Sequence, residues 1–428
     1  MGTITADAIK TAIAAERAHA EALFDQLAQC SQRQRGITRD TYGAGENAAH
    51  DLFRAHCTGL GLAIESDAAA NTYATWPGSD RGLPRIIVGS HLDSVPHGGN
   101  FDGAAGVIAG LVAVSALRRL GFEPRRDIIV MAIRAEESVW FQVSYIGSRS
   151  ALGTLPPNVL DAPRIDTGRT LGEHIAASGG DPDAMREGRH ALVPSSIRAF
   201  LEVHIEQAPS LVELDRPIAV CSGIPGNFRY PDARILGRYD HVGTPRRFRR
   251  DAATAAAAFA VALDRLWEER EAAGIAMAAT LGRFHTDATT HGLTTVAGEF
   301  RFSLDVRAYD AAVLAGLEAD LQSIIREIEA RYRVQFDLGK RASAEVGVVC
   351  PTILSELEQA AARLHIPATR IASPASHDAA AFASAGVPTA MIFVRNENGS
   401  HNPDEHMEIG DFLEACAVLA AWIADHAA

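Results

Sequence analysis

Between residues 85 and 133 the chain alternates an apolar strand, a helix of small residues and a second apolar strand. The first strand, Arg85–Ser90, runs into His91-Leu92-Asp93, and the second, Asp127–Ile133, runs into Arg134-Ala135-Glu136-Glu137. Strand–helix–strand order of this kind predicts an α/β fold with a mainly parallel sheet covered by helices. Because chemistry in such sheets collects just beyond the carboxyl ends of the strands, both polar segments are expected at one edge.

The length and a change of pattern predict a second domain. A chain of 428 residues is too long for one ordinary core. From about Arg216 to Leu338 the elements follow a β-α-β-β-α-β order, which is typical of a small α+β domain, and after Pro351 the first pattern returns. We therefore predict a metal-binding catalytic domain formed by residues 1–212 and 344–428, with an inserted domain at 213–343.

Composition narrows the possible partners. The formal net charge is -13 and no basic block is present, so no nucleic-acid partner is expected. The first helix-like stretch is interrupted by acidic side chains, and no apolar run is long enough to cross a membrane, so neither a secretory signal nor a membrane partner is expected. Reduced thiols in a cytoplasmic protein explain the five scattered cysteines, Cys30, Cys57, Cys221, Cys350 and Cys416.

Side chains that bind metals stand at or near the ends of the apolar strands. Carboxylates mixed with imidazoles suit Zn²⁺, Mn²⁺, Co²⁺ or Ni²⁺ better than Ca²⁺. Asp93 lies two residues from His91 on the same side of an extended segment, where it can orient the imidazole. Of the adjacent Glu136 and Glu137, one can hold a metal while the other takes a proton from water. The candidate ligands are His91, Asp102, Glu136 or Glu137, His204 and His401.

Each of these features also has a simpler explanation. A single His-Leu-Asp is more often a surface turn, paired glutamates are common on solvated helices, and His204 could be a hydrogen-bonded imidazole in a core strand. Their joint occurrence, in order, at the ends of apolar strands favours a metal-dependent hydrolase.

The motifs resemble those of the hydantoinase/carbamoylase amidases, which belong to the dinuclear aminoacylase–carboxypeptidase superfamily. The similarity extends from Gly36 to the C-terminus. It implies a metallopeptidase-like catalytic domain with an inserted α+β lid domain that also forms a homodimer. The matching motifs are Gly89-Ser90-His91-Leu92-Asp93-Ser94-Val95-Pro96, Gly98-Gly99-Asn100-Phe101-Asp102-Gly103, Glu202-Val203-His204-Ile205-Glu206-Gln207, Ser376-His377-Asp378 and Ser400-His401-Asn402-Pro403-Asp404-Glu405.

The resemblance also implies a role for each residue. Two divalent metal ions are bound per chain, one by His91, Asp102 and His204 and the other by Asp102, Glu137 and His401, with Asp102 bridging. Glu136 is the implied general base, and His241 the lid residue that stabilises the oxyanion in the partner's site. The implied reaction is hydrolysis of a linear carbon–nitrogen amide bond in an N-carbamoyl amino acid or a related ureido or acyl substrate. The positions that resemble substrate contacts are Gln207, Arg307, His377, His291 and Thr294.

Four segments depart from the family pattern. They are Ser138-Val139-Trp140-Phe141 after the glutamates, His241–Arg247 in the lid motif, Thr290–Thr294 where the family has asparagines, and the short loop Asn396–Ser400. The metal site is complete while the specificity residues are altered, so we expect hydrolysis of an unusual substrate. Trp140 is expected to offer an apolar surface beside the base. Arg246, Arg247 and Arg307 could attract an anionic substrate, but arginines in such positions more often form a solvated basic surface or surface ion pairs.

Two other functions fit the same sequence. An N-acyl-amino acid hydrolase or dipeptidase would use the same metals, although peptidase branches often have a carboxylate where this chain has His204. A binding protein without activity would be expected to lose the base or a ligand, and Glu136 and all five implied ligands are present.

Overall fold

Residues 4–31 and 35–428 are described by the computed structural model. The chain divides into two units: the first runs up to Ile224 and resumes at Val348, and the second is Pro225–Gly347. Residues 1–3 and 32–34 of the predicted catalytic domain lie outside the described residues. The predicted insert was 213–343, but the segment from residue 213 to Ile224 belongs to the first unit, and the second unit continues beyond residue 343 to Gly347.

The elements are numbered in chain order. The strands are β1 (Ala63–Ser66), β2 (Thr72–Trp76), β3 (Arg85–His91), β4 (Ile128–Ile133), β5 (Ile197–Ile205), β6 (Ile218–Cys221), β7 (Gly226–Leu236), β8 (Asp240–His241), β9 (Met277–Thr280), β10 (Phe284–His285), β11 (Thr295–Val296), β12 (Glu299–Ala308), β13 (Gln335–Asp337), β14 (Ala342–Ala344), β15 (Ala368–Ile371) and β16 (Thr389–Val394). The α-helices are α1 (Ala6–Ala14), α2 (Arg17–Gln29), α3 (Ala44–Gly59), α4 (Ala104–Arg119), α5 (Ile146–Ala151), α6 (Leu171–Ala177), α7 (Pro182–Arg186), α8 (Ser210–Glu213), α9 (Ala252–Ala272), α10 (Ala311–Tyr332), α11 (Pro351–Arg363), α12 (Asp378–Ser384) and α13 (Ile409–Ala427). Short 3₁₀ turns cover Pro157–Asp161, Pro194–Ser196 and Arg246–Phe248.

The first unit is built on an eight-stranded sheet with the order β1-β2-β4-β3-β5-β16-β6-β15. The central strands β4, β3, β5 and β16 run parallel, as do β6 and β15, while β1, β2 and β6 join antiparallel neighbours. The prediction of an α/β fold with a mainly parallel sheet is confirmed. In the β3–β4 pairing His91 lies opposite Ile133, so the polar segments after these strands leave the sheet at the same edge.

The strand β6 explains why the predicted start of the insert was wrong. Ile218–Cys221 is fully buried and pairs with both β16 and β15. The sequence analysis placed this segment in the insert, because an apolar run does not reveal which of two sheets it joins.

Helix α4 covers the sheet beside the polar edge and is buried along nearly its whole length. Its small residues allow the helix to lie close to the strands: a Cβ at Gly106 would come within 2.4 Å of the Val203 carbonyl oxygen on β5. This close approach places the beginning of α4, and the turn before it, against the ends of β3 and β5.

The second unit has its own sheet and its own core. Strands β10, β12, β7 and β13 are neighbours in that order, β9 also pairs with β12, and β14 also pairs with β7. Alternate side chains of β7 and β12, among them Phe228, Ile235, Phe302 and Leu304, form a core with the buried residues of α9 and α10. The order β7-α9-β9-β12-α10-β13 is the predicted β-α-β-β-α-β arrangement. Within the described parts of the chain, no helix is long and apolar enough to cross a membrane.

Candidate metal centre

The candidate ligands come from five separate places in the first unit. They are His91 at the end of β3, Asp102 in the turn before α4, Glu137 after β4, His204 in β5 and His401 after β16. All except His401 are buried, and the His401 side chain is 52% exposed. The sheet order places the ends of β4, β3, β5 and β16 side by side, which brings residues far apart in sequence to one edge.

Asp102 joins these side chains into two groups. Its Oδ1 lies 3.4 Å from His91 Nε2 and 3.3 Å from His204 Nε2. Its Oδ2 lies 3.4 Å from His401 Nε2, which is also 3.4 Å from Glu137 Oε1. In each group the three donor atoms all lie within 4.8 Å of one another. One carboxylate therefore contributes one oxygen to each of two three-residue groups.

Hydrogen bonds direct the buried imidazoles toward Asp102. His91 Nδ1 lies 3.0 Å from the Asp93 carbonyl oxygen, and His204 Nδ1 lies 2.9 Å from the carbonyl oxygen of Ile205. Since a carbonyl only accepts, each Nδ1 donates to it, and each Nε2 is the ring nitrogen that faces Asp102. Gly103, at φ +67°, closes the pocket, because a Cβ there would lie 2.5 Å from the His91 ring. These Nε2 atoms, which bind a metal when unprotonated, and the Asp102 oxygens form a set of ligand atoms that suits a metal.

The charge of the site also fits divalent cations. Buried carboxylates are costly unless they are paired or bind metal. Burial raises the pKa of Glu137 to about 7, and the nearby Asp102 charge adds to the effect. Burial opposes ionisation of Asp102 as well, but hydrogen bonds with His204, His401 and His91 hold its pKa well below the usual range. Two cations would neutralise this concentration of acidic groups, so the residues present fit metal ions.

Asp93 has more contacts than the sequence predicted. Its carboxylate oxygens accept the backbone N–H groups of Glu136 at 3.1 Å and Glu137 at 3.2 Å, and the Thr41 hydroxyl at 2.5 Å. One of these oxygens lies 3.4 Å from His91 Nδ1. Asp93 thus fixes the backbone of both glutamates in addition to contacting the imidazole.

Glu136 lies between the candidate ligand Glu137 and the end of β4. Burial raises the pKa of its carboxyl well above the ordinary value, and the charges of Glu137, Asp378 and Asp93 raise it further, against the effect of His91. A carboxylate with a raised pKa is suited to accept and return a proton near neutral pH.

Two of the predicted substrate contacts reach this group of residues. Gln207 donates from Nε2 to Asp102 Oδ2 at 2.8 Å, and its buried Oε1 has no hydrogen-bond partner among the described residues. The His377 ring centroid lies 4.4 Å from that of His204, and His377 Nε2 is 2.8 Å from the Ser373 hydroxyl. Both residues therefore line the same edge as the candidate ligands.

The other predicted site residues belong to the second unit. His241 on β8 lies opposite Thr295 of β11, and the Val242 N–H donates to the Thr294 carbonyl oxygen at 2.8 Å. His291 lies 2.9 Å from the Thr286 hydroxyl. Arg307 on β12 donates from Nε to Asp305 at 2.9 Å. The second unit therefore brings His241 and Thr294 together, while Arg307 is on a different strand pair of that unit.

The expectation for Trp140 is not supported. The residue is only 8% exposed, and its indole N–H donates to the Ser94 carbonyl oxygen at 3.0 Å. The Arg164 guanidinium lies over the ring, 4.5 Å from its centroid. Because other protein groups cover this ring, it does not offer a broad apolar surface to a substrate.

Sequence reasoning missed three residues that support Asp102. Arg39, fully buried, donates to the Leu92 carbonyl at 2.7 Å and approaches the Asp102 carbonyl at 3.4 Å. Glu405 Oε1 accepts the Asp102 N–H at 3.3 Å, and the Ser400 hydroxyl lies 2.6 Å from Asp102 Oδ2 and 2.7 Å from Glu405 Oε2. Arg39 lies within the span of the family resemblance, and Ser400 and Glu405 lie in one of its motifs. Nothing in the sequence, however, indicates that these three residues contact Asp102.

Comparison with known proteins agrees with this geometry. Residues 87–425 match Peptidase family M20/M25/M40. The chain is 33% identical to the N-carbamoyl-L-amino acid amidohydrolase of Geobacillus stearothermophilus, over 90% of this chain and 91% of that one. It is 30% identical to the allantoate amidohydrolase of Escherichia coli, over 90% and 92%. A solved hydantoinase/carbamoylase family amidase from Burkholderia multivorans superposes with a TM-score of 0.84 at 26% identity, covering 95% of this chain and 98% of its own.

The chain belongs to Peptidase family M20/M25/M40, whose enzymes use divalent metal ions. Within it the chain groups with the hydantoinase/carbamoylase amidases, as its motifs predicted, and the prediction of a hydrolase acting on carbon–nitrogen amide bonds is confirmed.

Proposed function

We propose that this enzyme hydrolyses the carbamoyl amide bond of an N-carbamoyl amino acid or a closely related ureido acid. The observation that carries the proposal is Asp102, which contributes one oxygen to each of two ligand groups beside Glu136. Two relatives of this chain are named for their action on N-carbamoyl-L-amino acids and on allantoate, and both kinds of substrate contain the ureido group.

Each of the two ligand groups is proposed to bind one divalent cation, which is Zn²⁺, Mn²⁺, Co²⁺ or Ni²⁺. When bound, such cations polarise the scissile carbonyl and lower the pKa of water. Glu136 accepts a proton from the attacking water and delivers it to the leaving nitrogen. Asp93 holds the Glu136 backbone at 3.1 Å, so the base is set in place before the substrate arrives.

Gln207 favours a carbamoyl group over a simple acyl group. Its buried Oε1, which lacks a partner among the described residues, can accept a hydrogen bond from the terminal –NH₂ of a ureido substrate. An acetyl methyl cannot donate that bond, and a site built for a hydrogen bond discriminates against analogues that lack it.

We therefore expect kcat/KM for N-carbamoyl amino acids to exceed that for matched N-acetyl amino acids and dipeptides by about 10-fold or more. Product formation would be followed with a panel that includes N-carbamoyl-β-alanine and allantoate. Allantoate is expected to be the poorer ureido substrate, because His291 and Thr294 replace family asparagines that could bind a second ureido group.

A variant of Gln207 distinguishes loss of the proposed hydrogen bond to the substrate from a general loss of activity. Gln207→Leu should reduce hydrolysis of the carbamoyl substrates more than that of the acetyl ones. Equal reduction of both would contradict the proposed contact. A clear preference of the wild-type enzyme for N-acetyl substrates would instead identify it as an acylase.

We also propose a homodimer in which His241 of one chain serves the active site of its partner. His241 is exposed in the second unit, and its N–H donates to Asp240 at 3.0 Å, which orders the β8 turn. An imidazole provided in this way would stabilise negative charge on the oxygen of the attacked carbonyl.

Subunit mixing tests the shared site. Glu136→Gln and His241→Ala chains, each inactive alone, should together regain up to about a quarter of wild-type activity per subunit. The expectation follows from statistical pairing, because one site of each mixed dimer carries both intact residues. Mixing Glu136→Gln with Glu137→Gln is the control, since each change disables the site of its own chain and no mixed dimer then contains an intact site. No gain after verified subunit exchange would contradict the His241 proposal.

A further inference from the structure

Buried carboxylates bind three consecutive backbone amides at the end of β4. The N–H groups of Glu136 and Glu137 donate to Asp93, as described above. The N–H of the preceding residue, Ala135, donates to Oε1 of Glu46 at 2.9 Å. Glu46 comes from the first turn of α3 and is fully buried. It therefore reaches the backbone immediately before Glu136 from a different part of the fold.

The second oxygen of Glu46 is also bound. Its Oε2 accepts the Tyr42 N–H at 2.6 Å and Nη1 of Arg134 at 3.0 Å. Nη1 of Arg134 also donates to Asn47 at 2.7 Å, and the Arg134 N–H donates to Asn71 Oδ1 at 2.8 Å. Arg134 is only 1% exposed. Glu46 is thus held in place from several directions.

The residue that Glu46 binds has an unusual backbone conformation. Ala135 has φ +56°, a left-handed conformation that is disfavoured for a residue with a Cβ. Its N–H is bound by Glu46, and its carbonyl oxygen accepts the Ile146 N–H at 2.9 Å. This conformation turns the chain out of β4, and the direction of the Glu136 side chain depends on it.

We propose that Glu46 is a positioning residue for hydrolysis, which holds the Ala135 peptide in its left-handed conformation and so directs the Glu136 carboxylate. The proposal rests on the proposed role of Glu136 as the base. Displacement of a catalytic group by about 1 Å can lower the rate by about 100-fold.

The contacts of Glu46 predict which kinetic property changes when this residue is replaced. Glu46 binds Ala135, whereas the ligand Glu137 is bound by Asp93. Loss of the Glu46 contact therefore lowers kcat, while metal content and KM stay close to those of the wild type.

Two variants of Glu46 test the proposal. Glu46→Asp keeps the charge beside Arg134 but shortens the side chain, and kcat is expected to fall about 10-fold. Glu46→Gln places an –NH₂ group, itself a donor, against the N–H groups that Glu46 accepts from, and kcat is expected to fall about 100-fold. In both, metal content by elemental analysis should equal that of the wild type, and KM should stay within about threefold.

Glu16→Gln is the matched control. Glu16 is likewise buried and paired with an arginine, Arg119, at 2.6 Å, but it lies between α1 and α2 and contacts no residue of the site. The midpoint of urea unfolding of the Glu16→Gln variant is expected to fall, while its kcat stays at the wild-type value. If kcat falls equally in Glu16→Gln and Glu46→Gln, or falls only in proportion to metal loss, the positioning role is wrong.

Ala135→Gly provides the rescue. Glycine adopts positive φ readily, so the left-handed turn needs less support from Glu46. Adding Ala135→Gly to Glu46→Asp should restore kcat by about threefold or more. Absence of rescue contradicts the proposal. Full activity of Glu136→Gln would overturn the proposed base itself, whereas an inactive Glu136→Gln with normal Glu46 variants would overturn only the positioning role.

Discussion

Replacement of Glu136 by glutamine is expected to lower kcat by about 10³-fold or more without loss of metal. A carboxamide has nearly the same shape as a carboxylate but cannot accept the proton of the attacking water. The backbone of residue 136 remains bound to Asp93 in this variant, so the surrounding structure should not change. Steady-state kinetics with elemental analysis of the same preparation would measure both quantities.

Glu137→Gln is the comparison that makes this result specific. The two side chains are adjacent, but Glu137 Oε1 lies 3.4 Å from His401 Nε2 in a ligand group. The Glu137 variant should therefore lose one metal and much of its activity, part of which should return at high metal concentration. Equal metal loss in the two variants would mean that base and ligand have been assigned the wrong way round.

The sheet and the ligand groups could be predicted from sequence because their signals are local. Apolar runs such as Ile128–Ile133 predict buried strands, and parallel order then places their carboxyl ends together. His91 ends one such run and Glu137 stands shortly after another, so their convergence follows from topology. His401 does not directly follow an apolar run, so its residue type made it a candidate ligand and only the family resemblance assigned it to a ligand group.

The parts that could not be predicted depend on long-range contacts. Glu46 reads as an ordinary glutamate in the first turn of a helix, and nothing in its neighbourhood shows that it binds Ala135, 89 residues away. Trp140 was expected to face a substrate because it follows the glutamates in sequence. The chain turns at the left-handed residue Ala135, and the indole is covered by contacts with Ser94 and Arg164 that its place in the sequence does not reveal.

Removal of metal is expected to abolish activity, and two equivalents per chain should be needed to restore it fully. Each oxygen of Asp102 belongs to a different ligand group, so Asp102→Ala should lose both metals, whereas His401→Ala should lose one. Metal that binds the folded state also stabilises it, by about 2.7 kcal/mol at a concentration 100 times the Kd, so Tm should rise on reconstitution.

His406→Ala is the matched control for His401→Ala in the metal titration. Its side chain is 50% exposed, close to the 52% of His401, but it contacts Glu408 at 3.1 Å instead of the ligand groups. This variant should keep both metals and wild-type kcat, because the loss of an exposed imidazole away from the ligands removes no donor. Fully active wild-type enzyme that holds only one metal would contradict the two-metal proposal, whatever the variants show. Two metals retained in Asp102→Ala would show that this carboxylate does not join the groups.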